Sequence, residues 1–274
     1  MTDARKTLKK IGGGKKSPRR NSSRKQKRRE LSRWKHILIV FLIVAAAFFA
    51  AYHIALKKLF FRFAEKETTQ QTITDIYGID VSRYQGNINW EKLKKNNPQE
   101  TPIYFTYIKA TEGKNIKDPK FKRNWKNSKK AGFIRGAYHY FTETSSGEEQ
   151  AKAFTSSVKL EKGDLPPMVD VEEIPKNRKK FNKELKIFIK AIERYYDTKP
   201  IIYSSPEYKK RYLNDGFYDK YPSWVAHYYV KEPDTERWDI WQFTDKGKIP
   251  GIGHDVDINR FNGNLDKLKG MTLK

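Results

Sequence analysis

The chain of 274 residues contains no cysteine. That excludes disulfide staples, thiolate zinc sites and iron–sulfur clusters. It leaves the compartment open, since exported domains need not carry disulfides. The chain is also short of acids: 32 Asp and Glu face 57 Lys and Arg, for a formal net charge of +25. No internal repeat is evident, so nothing points to a solenoid or propeller. The length allows one domain of roughly 200 residues, large enough to bury a core without staples, plus a shorter appendage.

The positive charge is uneven. Residues 1–36 hold 15 Lys and Arg against two acids, Asp3 and Glu30, which is roughly half of the excess. Such a tail can bind nucleic acid, but the adjoining apolar segment argues for a membrane. The 20 residues from Ile37 to Leu56, ILIVFLIVAAAFFAAYHIAL, include no Lys, Arg, Asp or Glu. At 1.5 Å per residue a helix of that length spans the hydrocarbon core of about 30 Å. The run exceeds the roughly 7–15-residue apolar core of a cleaved signal peptide, and it has no polar face to suit a buried soluble helix. The sequence therefore predicts a basic tail at 1–36, disordered around Gly12–Gly14 and Ser22–Ser23, and a single transmembrane helix at 37–56. A linker at 57–75 and a folded domain at 76–274 complete the chain. The linker opens with KKLFFRFAEKE, an amphipathic stretch suited to a membrane surface. The basic flank keeps the N-terminus cytoplasmic and puts the domain on the periplasmic or extracellular side. The lipid bilayer is the partner expected for this helix, and nucleic acid is not an expected partner.

From Ile76 onward, apolar runs of strand length alternate with helical patterns. Strands are expected at 76–82, 103–111, 133–141, 166–172, 200–205, 222–228, 239–244 and 254–261. Helices are expected at 89–96, 119–131, 146–159, 179–197 and 206–213, several of them behind Asn, Ser or Pro start signals. Five strands are each followed by a helix and three are not. The pattern predicts an α/β fold, a modified TIM-like (β/α)5β3 barrel preceded by a single transmembrane helix.

In such a barrel the chemistry gathers at the C-terminal ends of the strands. Asp80 is late in the first expected strand, Asp170 and Glu172 close the fourth, and Asp257 lies in the eighth. Residues 170 and 172 are two apart, so on a strand they share a face. Carboxylates that close raise each other's pKa, and one can stay protonated as a general acid. That is the equipment for breaking a glycosidic bond. Surface charges, salt-bridge partners or ligands to Mg²⁺ or Ca²⁺ are the competing uses of such acids; the preferred reading needs no metal and no cofactor. Tyr138, Tyr203, Trp224, Tyr228, Trp241 and Gln242 cluster in the same strands and are candidates for sugar contacts, with barrel packing as the alternative. His139, His227 and His254 are too scattered for a metal site and read as structural.

Eight ordered motifs make the pattern specific: YGIDVSRYQG at 77–86, YIKATEG at 107–113, RGAYHYF at 135–141, GDLPPMVDVEE at 163–173, PIIYSS at 200–205, WVAHY at 224–228, WQFTD at 241–245 and VDINRFNG at 256–263. Together they resemble glycoside hydrolase family 25, the Chalaropsis-type lysozymes. The resemblance implies a barrel of five βα units and three further strands. It also implies hydrolysis of the β-1,4 bond between N-acetylmuramic acid and N-acetylglucosamine in peptidoglycan, whose glycan strands become the expected partner. It makes Glu172 the proton donor and Asp170 the group that orients and polarises the substrate's N-acetyl group. Asp80 and Asp257 become flanking carboxylates, and a further family acid near Trp241 corresponds only loosely to Asp239. The alternative function is a membrane-tethered, catalytically weak peptidoglycan-binding module, against which the four acids argue.

Overall fold

The computed structural model describes residues 19–68, 75–235 and 237–274. The chain divides into two compact units, Met1–Gln71 and Thr72–Lys274.

The described part of the first unit is one helix, α1 (Arg19–Thr68). It is longer than the expected span at both ends. Between residues 19 and 68 there is no glycine or proline to stop it, so helix propagates through basic and apolar stretches alike. Ser22–Ser23, expected in a disordered tail, lie inside the helix, and so does most of the expected linker. Gly12–Gly14 and residues 69–74 lie outside the described residues. Within α1, residues 27–59 are long and apolar enough to cross a membrane by length and composition. Phe41, Phe48 and Phe49 stand exposed on its surface.

The second unit runs β1 (Ile76–Val81), α2 (Trp90–Lys95), β2 (Ile103–Glu112), β3 (Ile116–Lys117), α3 (Phe121–Lys130), β4 (Ile134–Tyr140), α4 (Gly147–Ser157) and β5 (Met168–Asp170). It continues with α5 (Arg178–Tyr196), β6 (Ile201–Ser204), α6 (Pro206–Tyr212), β7 (Ser223–Ala226), β8 (Ile240–Gly247), β9 (Val256–Phe261) and α7 (Leu265–Gly270). Eight strands close a ring in the order β1, β2, β4, β5, β6, β7, β8, β9, with β9 back against β1. Helices follow β1, β2, β4, β5 and β6, as the alternation of patterns predicts; none of α-type follows β7 or β8 among the described residues, and only the short α7 follows β9. The two-residue β3, which pairs with β2, and the short α7 lie outside the expected pattern.

Two departures matter for the site. First, β5 is shorter than expected. Pro166 and Pro167 cannot donate to the ladder, so the strand begins at Met168 and Glu172 falls beyond its end. Second, β9 runs antiparallel to both neighbours, whereas every other ring pairing is parallel. The start of β9 therefore lies at the same barrel end as the finishes of the other strands.

Alternation along each strand separates two cores. Ile76, Phe105, Tyr107, Met168, Ile201, Trp224, Ile240 and Phe261 pack inside the ring. Ile79, Val81, Ile108, Val169 and Ile202 face outward with Phe154, Leu185 and Phe188 of the surrounding helices. Filling the ring tightly needs small residues opposite large ones. A Cβ on Gly136 would come within 2.3 Å of the Tyr107 ring, so only glycine fits there.

Candidate active site

The inward positions change character along the barrel. One end is filled by Ile76, Phe105, Ile240 and Phe261. At the other, Asp80, Lys109, Tyr138, Asp170, Tyr203, Gln242 and Asp257 line an open cleft of about 300 Å³, with Glu172 and Tyr228 at its edge. Register explains the gathering. Asp80 sits opposite Asp257, Lys109 opposite Tyr138, and Asp170 between Tyr140 and Tyr203.

Asp80 is almost wholly buried and firmly held. Its Oδ2 accepts hydrogen bonds from Gln242 Nε2 and Asn259 Nδ2, both at 2.8 Å. Each donor is itself aimed. Gln242 Oε1 accepts from the Tyr203 hydroxyl at 2.8 Å and from the Tyr228 hydroxyl, which turns its amide nitrogen toward Asp80. Asn259 Oδ1 accepts from Trp224 Nε1 at 2.9 Å. Burial, followed by the Asp80 charge and a hydrogen bond to it, raises the half-buried Asp257 carboxyl to about 9. Burial raises the Asp80 carboxyl too, but its two amide donors and a hydrogen bond with Asp257 oppose that rise, so the one proton of this pair resides on Asp257 at neutral pH.

The second pair has a different setting. Asp170 is buried, whereas Glu172 stands exposed at the rim. Their carboxyls lie within hydrogen-bonding reach, and such a contact requires one of the two to be protonated. Burial raises the Asp170 pKa first, and the Glu172 charge raises it further. The Glu172 pKa is also raised, chiefly by desolvation. Asp170 Oδ1 is buried and receives no hydrogen bond from any described residue. Lys109 is the one cation lining the cleft among the described residues. Its Nζ pairs with Glu112 at 2.7 Å and lies 4.7 Å from the centre of the Tyr140 ring. Its charge opposes the rise at Asp170. Two shared-proton carboxyl pairs in one cleft can supply an acid and a fixed negative charge at the same pH.

The family model for glycosyl hydrolases family 25 matches residues 79–252. This chain belongs to glycosyl hydrolase family 25. The family 25 chain is 42% identical over 198 residues to the protein YegX of Escherichia coli strain CFT073, covering 71% of this chain and 72% of that one. It is 34% identical over 210 residues to lysozyme M1 of Streptomyces globisporus, covering 70% of each. The crystal structure of a bacterial lysozyme from Streptomyces coelicolor superposes with a TM-score of 0.66 at 33% identity, over 72% of this chain and 96% of that one. This family 25 member is a glycoside hydrolase of the lysozyme type, and the barrel is its hydrolase domain.

Eight of the ten residues singled out from the sequence line the cleft: Asp80, Asp170, Glu172, Asp257, Tyr138, Tyr203, Tyr228 and Gln242. Two do not, and here the expectation is corrected. Trp224 is wholly buried inside the ring, where its indole holds Asn259 and cannot meet a sugar. Trp241 alternates outward on β8, with its Nε1 bonded to the His227 carbonyl at 2.7 Å and its ring against Phe243. Asp239 is also removed from the cleft. It precedes β8 at the opposite barrel end, where it accepts a bond from the Ser223 amide at 2.9 Å. His139 is structural, buried between Thr111 and Gln150, and burial lowers its pKa to about 3. Tyr140, which the sequence places with Tyr138 among the clustered aromatics, also lines the cleft, whereas sequence reasoning missed Lys109 and Asn259. A signal existed for both: Lys109 shares a face with Phe105 and Tyr107, and Asn259 shares one with Asp257.

Proposed function

We propose that this family 25 enzyme is a membrane-anchored N-acetylmuramidase. It hydrolyses the β-1,4 bond between N-acetylmuramic acid and N-acetylglucosamine of peptidoglycan. The observation that carries this reading is the contact between the rim carboxyl of Glu172 and the buried carboxyl of Asp170, whose Oδ1 receives no hydrogen bond from an amide, hydroxyl or ammonium group of the described residues.

A buried acceptor without a partner is costly. The N–H of a substrate acetamido group would satisfy it. Accepting that bond, with Lys109 nearby, favours negative charge on Asp170 and moves the shared proton to Glu172. Glu172 at the open rim then protonates the leaving glycosidic oxygen as the bond to the anomeric carbon breaks. The acetamido oxygen attacks that carbon from the other face, and Asp170 stabilises the positive charge that develops on the acetamido group. Water then opens the cyclic intermediate and returns the proton balance through Glu172. Two inversions at one carbon retain the β configuration. Substrate-assisted enzymes stand outside the spacing rule for carboxylate pairs. Asp80, held charged, and protonated Asp257 set the potential on the opposite wall.

Helix α1 supplies the tether in this proposal. Its basic start, before the apolar segment, favours a cytoplasmic N-terminus with the barrel outside. The full chain in membranes should release muropeptides with muramic acid at their new reducing ends. Glucosamine at those ends, or cleaved peptide stems alone, would refute the muramidase reading. Protease added outside spheroplasts should remove the barrel; a protected barrel would refute the topology.

A further inference from the structure

The large apolar side chains that the barrel unit exposes are not scattered. Among its described residues they are Tyr84, Ile116, Ile174, Ile187, Tyr195 and Tyr229. Ile187 and Tyr195 lie on α5. The other four stand at the cleft end of the ring: Tyr84 in the turn after β1, Ile116 in β3 beyond β2, Ile174 past the end of β5, and Tyr229 past the end of β7. Clustered exposed apolar groups mark a contact surface more often than isolated ones do.

Tyr229 is the most exposed of them, at 86%. Its φ of 59° is in the left-handed region, which a bulky aromatic residue rarely occupies. The only other described non-glycine residue there, Asp197, closes α5 and bonds back to the Glu193 carbonyl. Tyr229 ends no helix. Its neighbour Tyr228 lines the cleft and donates to Gln242. The two tyrosine rings are 6.5 Å apart and steeply inclined, at 76°. The base of the segment is pinned, because the His227 amide bonds to the Gln242 carbonyl at 3.1 Å and the His227 carbonyl accepts from Trp241. The strained backbone therefore holds a flat, wet ring just outside the cleft wall. Strain kept in place in this way is characteristic of functional positions.

Tyr84 is the counterpart on another side. It lines the cleft and is 68% exposed. Its turn is fixed by a reciprocal pair of bonds between Ser82 and Gln85, and the Arg83 guanidinium lies 5.2 Å from its ring centre. β1 and β7 are separated by β9 and β8 around the ring, so the two tyrosines do not share a wall. A cleft of about 300 Å³ is at the small end of ligand sites. A polymer cut there must continue over the rim.

We propose that Tyr229 and Tyr84 form a secondary sugar-binding platform, on which pyranose rings beyond the scissile bond stack while the strand crosses the mouth. The ligand class is an oligosaccharide of several units. The apolar C–H face of each ring meets an aromatic face, and its hydroxyls remain in water. This inference rests on the cleft being the site of glycan cleavage.

The test compares a short peptidoglycan tetrasaccharide with long purified glycan strands, using the full chain in detergent micelles. Y229G keeps the backbone conformation, which glycine adopts freely, and removes only the ring. It should raise KM for long strands roughly fivefold, the scale of one ring contact. The kcat and the KM for the tetrasaccharide should stay unchanged, and the melting temperature should not fall. Y229W should restore the long-strand KM, and Y84A, at a ring that also lines the cleft, should raise the long-strand KM as well. Equal KM changes for both lengths, or none for either, would overturn the platform while leaving the lysozyme reading intact. A wild-type protein that cuts neither glycan would overturn the lysozyme reading itself.

Discussion

On the β1–β9 wall of the cleft, Asp80 receives two amide donors and faces a carboxyl that is raised to about 9. On the β5 wall, Asp170 faces a carboxyl at the solvent rim and keeps one oxygen without a donor. The residue types are nearly the same, and the surroundings give them different work. Donors aimed by Tyr203, Tyr228 and Trp224 fix the charge on Asp80. The missing donor at Asp170 leaves its charge to be set by what binds. A carboxylate thus becomes a permanent electrostatic element or a responsive one according to whether its lone pairs are already filled.

The largest expected effect tests the responsive wall directly. Glu172→Gln keeps the shape at the rim but has no proton to give. Turnover of glycan strands should fall by about 10²–10⁴-fold, with the fold and strand binding retained, as read by muropeptide release and cosedimentation. Near-normal lysis would break the comparison at its centre. Asp170→Asn comes next, because a neutral amide cannot stabilise the positive charge on the acetamido group. Its kcat should drop by about 10²–10³-fold, the scale of one lost transition-state contact. Proton NMR of the first product separates the mechanisms: the β anomer fits attack by the acetamido oxygen, whereas initial α anomer would mean direct attack by water.

A smaller effect is expected at Lys109, which belongs to the responsive wall through charge alone. Lys109→Met removes the cation that opposes the rise at Asp170. Asp170 must be ionised to stabilise the acetamido charge, so the acid flank of the kcat profile should move to higher pH, by roughly one pH unit or less. Lys109→Arg should restore it. An unmoved flank would mean that Lys109 only packs against Tyr140.

The smallest effect on catalysis is expected on the fixed wall. Asp257→Asn retains a donor toward Asp80, and kcat should change less than about tenfold. Its signature is in stability. The Asp257 carboxyl titrates at about 9 in the folded protein, against an ordinary value of 3.8. Between those values the folded chain holds a proton that the unfolded chain has lost. This group therefore makes stability fall as pH rises from about 4 to about 9, and its effect is level above that range. Asp257→Asn removes the slope, so its melting temperature relative to wild type should climb steadily over the same interval. A constant difference across that range would show that Asp257 is not the protonated partner.

Much of this was legible in one dimension. Eight apolar runs and five helical patterns specify the barrel, because burial on both faces of a parallel strand leaves a continuous apolar signature. The spacing of Asp170 and Glu172 predicts a shared strand face, but the strand ends at Asp170, so the chain beyond it, not strand alternation, sets where Glu172 stands. The apolar run from Ile37 to Leu56 marked a membrane-length helix, because length and hydropathy are properties of the sequence. The limits of that helix were not legible, since no glycine or proline between residues 19 and 68 marks where it should end. Ring closure decided the rest. The reversed direction of β9 brought Asp257 beside Asp80, although 177 positions separate them in the chain. Depth in the barrel turned Trp224 from a sugar contact into the support of Asn259, and alternation turned Trp241 outward. Which lone pairs of Asp80 and Asp170 are filled depends on partners from distant strands. Only the closed ring sets those distances, because a hydrogen bond is decided by tenths of an ångström between groups whose sequence separation carries no information about them.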